Sequence, residues 1–401
     1  MHMKREHRLA ENDARWWPVF VVACLSLLSY LDRQVFAVLS PTILLATHMS
    51  ATEYGTAVSG FSIAYMICNP LWGSVIARIG VRVGVVLAVI FWSIASAGHA
   101  LVGGFLGFLL ARILLGIGEG ATFPAVMDTV AHSLPQKSQG RGMALGYSGV
   151  AAASVIAPLL FIPINRVWGW HAAFVLTGLL GCLWILVWWL STAPSKPTAP
   201  PEALRWQLPN LLERRFWILF STYAMGALPL GPVMYLTPLY LKSLGYTQNQ
   251  MAHVLWIPPI GWEAGSFFWA WMADHFAREN PYPRGIFAAL ALMTLPLAFI
   301  TRVHSPAVVI ALLTSAMFMA GGFLIVALRS CTMLYPKDNG GLVAGMGAGS
   351  WAFVVAILLP ILGHLFDHKS YDVAFLVVAL VPVVGAVLWF ILTSRVNERG
   401  N

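Results

Sequence analysis

An arginine and a glutamate, Arg112 and Glu119, stand seven residues apart in the otherwise apolar stretch ARILLGIGEG, Ala111–Gly120. On a helix that spacing is about two turns, so both side chains lie on one face, about 10 Å apart along the axis. An ionised side chain at bilayer depth costs at least about 2.5–3.5 kcal/mol, so the two must face partners or a wet cavity. Two chemistries fit: a charge cluster that ties helices together, or an anion site with a proton-carrying carboxylate beside it. Gly116, Gly118 and Gly120 leave room for a neighbouring helix or a ligand.

A second acid and base occur in YLDRQ, Tyr30–Gln34. Asp32 and Arg33 are consecutive on a helix and point in different directions, so neither is the other's best partner. With the first helix running outward and the fourth inward, Asp32, Arg33 and Arg112 share a depth in the outer half of the membrane, and Glu119 lies nearer the middle. The four form a set that is neutral when both acids are ionised, a lock that opens on protonation. Tyr65 either brings a phenolic hydroxyl to this set or packs in a core. Glu263, in PPIGWEAGSFF, is a mid-membrane carboxyl with no base adjacent in sequence, and is the second half's candidate for the cavity. Asp128, Asp274 and Arg329 fall at cytoplasmic helix ends and are expected to steady contacts between helices. His364 and His368 flank Asp367 at helical spacing but fall on an outer loop, where a solvated loop is the better reading than a metal site. No nucleophile–base set, metal motif or phosphate loop occurs, which argues against an enzyme.

The elements that must position these residues follow from composition. Of 401 residues 59% are hydrophobic and 10% charged, against about 25% charged in soluble domains. Apolar runs of about 20 residues are too long for barrel strands, so this is an all-α membrane protein. The expected spans are 16–38, 52–72, 82–102, 105–127, 141–163, 171–191, 216–240, 250–272, 285–302, 306–329, 341–363 and 372–393. The first run is too long for a signal peptide and is read as a retained span. Cys24, Cys68 and Cys182 fall in spans and Cys331 at the end of one, and all four are expected as free thiols.

The longest polar connection, Ser191–Glu213, carries Pro194, Pro197, Pro200, Pro201 and Pro209. It divides the chain into an N-terminal six-helix bundle (1–190), a cytoplasmic linker (191–213) and a C-terminal six-helix bundle (214–401). Each half repeats a basic turn after its second span, GSVIARIGVR at Gly73–Arg82 and AWMADHFAR at Ala270–Arg278. Internal repeats of this kind mark transporters whose site lies at the repeat interface near the midplane. Seventeen of the 24 Lys and Arg fall on the side of the N-terminus, four on the other side and three within spans. Both termini are therefore expected in the cytoplasm, and the net charge of +8 reflects topology and anionic lipid rather than nucleic acid. Tyr223, Tyr235 and Tyr240 around Pro229, Pro232 and Pro238 make the seventh span a broken helix, suited to a cavity wall or a gate.

YLDRQ, the Arg112–Glu119 spacing with its GEG, and the basic turn after Gly73 together resemble the anion:cation symporter family of the major facilitator superfamily. That family includes bacterial galactonate and hexuronate permeases and vesicular glutamate and sialic acid carriers. The likeness covers the whole chain in architecture and is specific in the first half. It implies twelve transmembrane helices in two pseudo-symmetric six-helix halves. It also implies proton-handling carboxylates at Asp32 and Glu119, an arginine for the substrate carboxylate at Arg112, a charge partner at Arg33 and cavity tyrosines at Tyr30 and Tyr65. Gly73, Arg78, Arg82 and Asp274 are the corresponding gate residues. The sequence departs from the family where Ala77 replaces an aspartate that Asp274 retains in the second half, so the inner lock is expected to be weaker in one half. The eleventh span lacks an asparagine, with Ala348 and Ala352 near that place. A less polyhydroxylated anion is therefore expected, or recognition by Trp351 and Glu263, with Tyr235 on the broken seventh span.

The expectation is a proton-coupled importer of a small organic anion, a sugar acid or another carboxylate, working by rocking of two halves. Protons are its coupling ion and it needs no other cofactor. It is expected as a monomer in the bacterial cytoplasmic (inner) membrane, multi-pass, with small molecule, protons and lipid as its partners. The rivals are a phosphate exchanger, a drug exporter and a non-transporting sensor. The first would want an arginine in each half, and the second half offers only Arg329, poorly placed; the second could use Glu263 among aromatics. The third would need an effector domain that neither terminus is long enough to fold.

Overall fold

A computed structural model describes residues 15–192, 214–277, 280, 282–334 and 340–394. The apolar runs are helical throughout, because a helix satisfies its own N–H and C=O groups where no water can. By contact the described residues gather into two compact units. One takes 15–43 and 60–192, the other Leu44–Ser59 and the residues from 214 on. Most of the expected linker, from 193 on, lies outside the described residues, as do Lys4, Arg5, Arg8, Lys196, Arg205, Arg278, Lys337, Arg395, Arg399 and the side chains of Lys137, Arg215, Cys331 and Ala348.

The first stretch of chain forms α1 (Trp16–Val38), a short α2 (Ser40–Thr47), α3 (Ala51–Ile79) and α4 (Val81–Gly98), extended by one 3-10 turn, His99–Leu101. There follow α5 (Phe105–Glu119), α6 (Thr122–Ser133), α7 (Gln136–Tyr147), α8 (Gly149–Trp168) and α9 (Trp170–Ser191). Gly80 (φ 84°) and Gly169 (φ 78°) make the one-residue reversals from α3 into α4 and from α8 into α9, a backbone conformation that a side chain would strain. The first unit packs Val22, Leu25, Val85, Val89 and Trp92 against Trp184 and Trp188 of α9. The two indoles also donate to backbone carbonyls, Trp184 to Val21 at 2.8 Å and Trp188 to Arg82 at 3.1 Å, which fixes α9 against α1 and α4.

The rest of the chain starts with α10 (Arg214–Leu219), which widens into a π-helical turn, Phe220–Gly226, before a break at 227–229 and α11 (Leu230–Ser243). The break sits just before Leu230, where Pro229 was expected to interrupt the helix; there the Ala227 carbonyl accepts from the Leu230 N–H at 3.2 Å and from the Trp351 indole at 3.1 Å. After α12 (Gln248–Val254), α13 (Ile257–Phe276) and α14 (Arg284–Thr294), the latter continued by the 3-10 segment Leu295–Arg302, come α15 (Pro306–Leu334), α16 (Gly340–Asp367) and α17 (Tyr371–Ser394). Leu219, Trp269, Phe287, Leu290, Phe323 and Trp389 form the second unit's core. Gly261 and Gly265 of α13 abut the backbone of Thr314 and Phe318, and Gly321 of α15 abuts that of Trp262, so these two helices approach backbone to backbone.

Among the described residues eleven helical stretches are long and apolar enough to cross a membrane; α13 takes the eighth place and makes the twelfth. The expected ends shift in places. The second span runs on to Ile79, and the fourth reaches Ser133 through a turn at 120–121. The N-terminus of α3 is capped from another helix: Asp367 accepts from the backbone N–H of Ala51 at 2.7 Å and of Thr52 at 2.9 Å.

Candidate functional site

The charged residues of the first half meet inside the first unit. Glu119 is the last residue of α5 and is fully buried. Its Oε2 accepts from Arg33 Nε at 2.7 Å and from the Ser29 hydroxyl at 2.8 Å. Ser29 lies one turn before Arg33 on α1 and accepts from Arg33 Nη2 at 3.3 Å, so acid, base and hydroxyl close a small ring of bonds. Glu119 Oε1 is buried with no hydrogen-bond partner. The Arg33 guanidinium is walled by three rings: Tyr65 at 4.5 Å, Tyr30 at 4.6 Å and Phe61 at 4.8 Å from its carbon to the ring centres. Tyr65 thus meets the charge cluster through its ring face.

Asp32 points the other way, toward α4. Its Oδ1 accepts from the Ser96 hydroxyl at 2.5 Å, and its Oδ2 is buried without a hydrogen-bond partner. Arg112, almost completely buried, lies over the Phe36 ring at 4.2 Å and within electrostatic reach of Asp32, Glu119 and His99. The expected four-member set is therefore present as a cluster, but with its own wiring. Arg33 and Glu119 form the direct ion pair, whereas Asp32 is held by a hydroxyl. The reason is geometric: Asp32 and Arg33 are about 100° apart around α1, so one faces α4 and the other α5.

The glycines beside Glu119 serve neighbouring helices. A Cβ on Gly116 would meet the Phe61 carbonyl of α3, one on Gly118 the Trp92 side chain of α4, and one on Gly120 the backbone of Cys68 and Asn69 on α3. That close approach carries the Glu119 carboxylate to α1 rather than leaving space for a ligand at those positions. Sequence reasoning missed Ser29, Phe61, Ser96, Thr177 and His99. Ser29 had a readable signal, its four-residue spacing from Arg33 on one face. The others had none, since which residue of α3, α4 or α9 faces α1 depends on how each helix is rotated. His99 is completely buried, bonded through Nδ1 to the Ala95 carbonyl at 2.8 Å and stacked on Phe174 at 4.8 Å.

The second half's candidates are placed within the second unit. Glu263 lies on α13, half-buried. Tyr235 is buried on α11 and its carbonyl accepts from the Tyr54 hydroxyl at 3.1 Å. The Trp351 indole donates to the Ala227 carbonyl at the break in the seventh span, and Tyr240 packs in a core against Tyr371 and Phe375. The gate residues have local partners. Arg82 donates to the Trp189 carbonyl at 2.7 Å and stacks on its ring, Arg78 is exposed, and a Cβ on Gly73 would just touch Pro124. Asp274 accepts from Arg329 Nε at 3.0 Å, and Asp128 pairs with His132 at 3.3 Å. The rings of His364 and His368 are 4.3 Å apart, and among the described residues no group of three or more His, Cys, Asp or Glu could hold a metal. Cys24, Cys68 and Cys182 are free thiols.

A buried ion pair and a second buried carboxylate inside an all-helical, multi-span chain are features of a transporter, and comparison with known proteins identifies which kind. The family model for the Major Facilitator Superfamily matches residues 22–333 and 264–401. The chain belongs to the Major Facilitator Superfamily. It is a multi-pass membrane transporter and not an enzyme, in agreement with the resemblance to anion:cation symporters. Among curated relatives of this superfamily, it is 23% identical to the hexuronate transporter of Escherichia coli K12 over 415 residues, covering 95% of this chain and 94% of that one. It is 28% identical to the hexuronate transporter of Bacillus subtilis 168 over 75% of this chain and 73% of the other. A galacturonate transporter of Dickeya chrysanthemi is 26% identical over 66% of this chain and 83% of its own length. Among solved structures it superposes on a bacterial homologue of the human lysosomal transporter Spinster with a TM-score of 0.81 and 16% identity, covering 97% of this chain and 99% of that one. That likeness supports the superfamily fold alone.

Proposed function

We propose that the protein is a proton-coupled symporter that imports a small organic anion of the hexuronate or related sugar-acid class by alternating access. The relatives named for hexuronates and galacturonate support the substrate class. The observation that carries proton coupling is the buried Arg33–Glu119 pair, in which one carboxylate oxygen holds the arginine and the other is bare. In a low-dielectric site the pair is held by charge, and taking up a proton on Glu119 removes the charge that holds Arg33. Arg33 is then available to a substrate carboxylate, in a cage of three aromatic rings that can also pack against a sugar ring. Arg112, buried beside both acids, is the second cation for the bound anion, and Asp32 is the second proton carrier. Loss of the protons to the cytoplasm restores the Arg33–Glu119 pair and expels the anion. Glu263, Tyr235 and Trp351 are the contribution proposed for the second half; Gly73, Arg78, Arg82 and Asp274 act in the change of conformation. The chain resides as a monomer in the bacterial inner membrane with both termini in the cytoplasm, with protons as its coupling ion.

The test is uptake of labelled galacturonate into vesicles holding the purified protein. Glu119→Gln retains exchange of galacturonate across the membrane but loses accumulation driven by a pH gradient; full accumulation by that variant refutes the assignment. Arg112→Ala loses the thermal stabilisation given by galacturonate, which at ~100 Kd adds about 2.7 kcal/mol to the parent protein. Stabilisation only by lipophilic cations, indifferent to Arg112, replaces this reading with a drug exporter.

A further inference from the structure

Behind Asp32 runs a chain of hydroxyls that the transport scheme does not use. Asp32 Oδ1 meets Ser96 Oγ of α4 at 2.5 Å, Ser96 Oγ meets Thr177 Oγ1 of α9 at 2.8 Å, and Thr177 Oγ1 meets the Phe174 carbonyl at 3.1 Å. All three side chains are buried. These are three links, and each needs one hydrogen. Two hydroxyls supply two. With Asp32 ionised, one link is therefore always without its hydrogen. With a hydrogen on Oδ1, the carboxyl donates to Ser96, Ser96 to Thr177 and Thr177 to the Phe174 carbonyl, and every link is filled. A second observation agrees: Oδ2 is buried with no hydrogen-bond partner, a costly arrangement for an ionised carboxylate and a tolerable one for the carbonyl oxygen of a neutral acid.

We propose that Ser96 and Thr177 are positioning residues that favour the protonated form of Asp32, through a hydroxyl chain that is complete only when the carboxyl carries its hydrogen. The inference deepens the role of proton carrier proposed above for Asp32 and rests on it. Other charged groups face the same carboxyl: Glu119 and Arg112 come from α5, His99 lies one turn beyond Ser96 and faces Arg112, and Arg33 on α1 itself is turned to Glu119. Thr177 lies in reach of the carboxylate as well. This makes the sign of its effect the informative quantity. As a link in the chain Thr177 fills two bonds in the neutral state and one in the ionised state. As a direct donor it would serve the ionised state instead.

The experiment is an infrared titration of the full-length protein in lipid vesicles, following the carboxyl C=O stretch that disappears in Asp32→Asn. It needs neither substrate nor transport, so an absence of galacturonate uptake, which would defeat the symporter reading, leaves this result readable. Thr177→Val keeps the side-chain shape and removes the hydroxyl. One net hydrogen bond predicts a loss of proton affinity of about fivefold to tenfold, seen as a midpoint displaced toward acid. Thr177→Ser restores the parent midpoint. An unchanged midpoint, or one displaced toward alkali, overturns the proposal. Should Thr177→Val fail to fold, the parent band decides: Oδ2 accepts nothing, so the stretch falls at the frequency of a carbonyl free of hydrogen bonds. A hydrogen-bonded frequency, or no band sensitive to Asp32→Asn, overturns the proposal.

Discussion

In the first unit Asp32, Arg33, Arg112 and Glu119 are all buried in one cluster, whereas the second unit keeps Asp274 and Arg329 at a helix end and leaves Glu263 half-buried on α13. Both units contain an arginine–carboxylate contact of similar length, 2.7 Å for Arg33–Glu119 and 3.0 Å for Arg329–Asp274. Their surroundings differ: the Glu119 side chain has no exposure, and that of Asp274 is 75% exposed. Water and salt weaken the second pair, while the first has only its partners to replace lost hydration. Equal distances thus carry unequal consequences, and a buried pair is the one whose opening by a single proton changes the energy of the whole site.

Substitutions that separate the two pairs test this contrast. Arg33→Ala leaves Glu119 buried without its cation, and loss of one member of such a pair costs about 3–5 kcal/mol. A thermal melt should show this as a large drop, with galacturonate uptake abolished. Adding Glu119→Gln to Arg33→Ala recovers most of the stability and none of the uptake; a melt that stays low would mean that Arg33 matters through its packing on Tyr30, Phe61 and Tyr65. Glu263→Gln is expected to change the apparent affinity for galacturonate by no more than about tenfold, about 1.4 kcal/mol, and to leave the accumulation ratio at a fixed pH gradient unchanged. A lowered ratio would place a proton carrier in the second unit and erase the contrast. Asp274→Asn, at the exposed pair, is expected to cost about 0.2–1 kcal/mol, and less at high salt. A melting change as large as that of Arg33→Ala would show that exposure does not separate the pairs.

The fold was readable because every span but one announces itself as an apolar run, and the turns carry glycine or proline where the backbone demands them, as at Gly80, Gly169 and Pro229. The charges of the site were readable for the same reason: in an apolar helix Asp32, Arg33, Arg112 and Glu119 stand out by cost alone. Their pairing was not. It depends on the rotation of α1, which sends neighbouring residues to α4 and α5, and on Gly116 and Gly120, whose lack of a side chain draws α5 onto α3. Ser96 and Thr177 were invisible because hydroxyl residues are cheap in a membrane helix and occur there without any special role. The contact of the Trp351 indole with the Ala227 carbonyl was invisible too, since it depends on how the eleventh span is turned toward the break in the seventh.

The glycine-lined contact of α13 with α15 bears on how the chain enters the membrane. α13 is absent from the eleven stretches that pass as membrane spans by length and hydropathy, and it carries Glu263 in its middle. Such a segment gains little by entering lipid alone. α15 is strongly apolar and presents Gly321 to the backbone of Trp262, as α13 presents Gly261 and Gly265 to α15. The eighth span is therefore expected to complete its insertion only once the tenth has been synthesised to receive it, with α13 held at the bilayer surface until then.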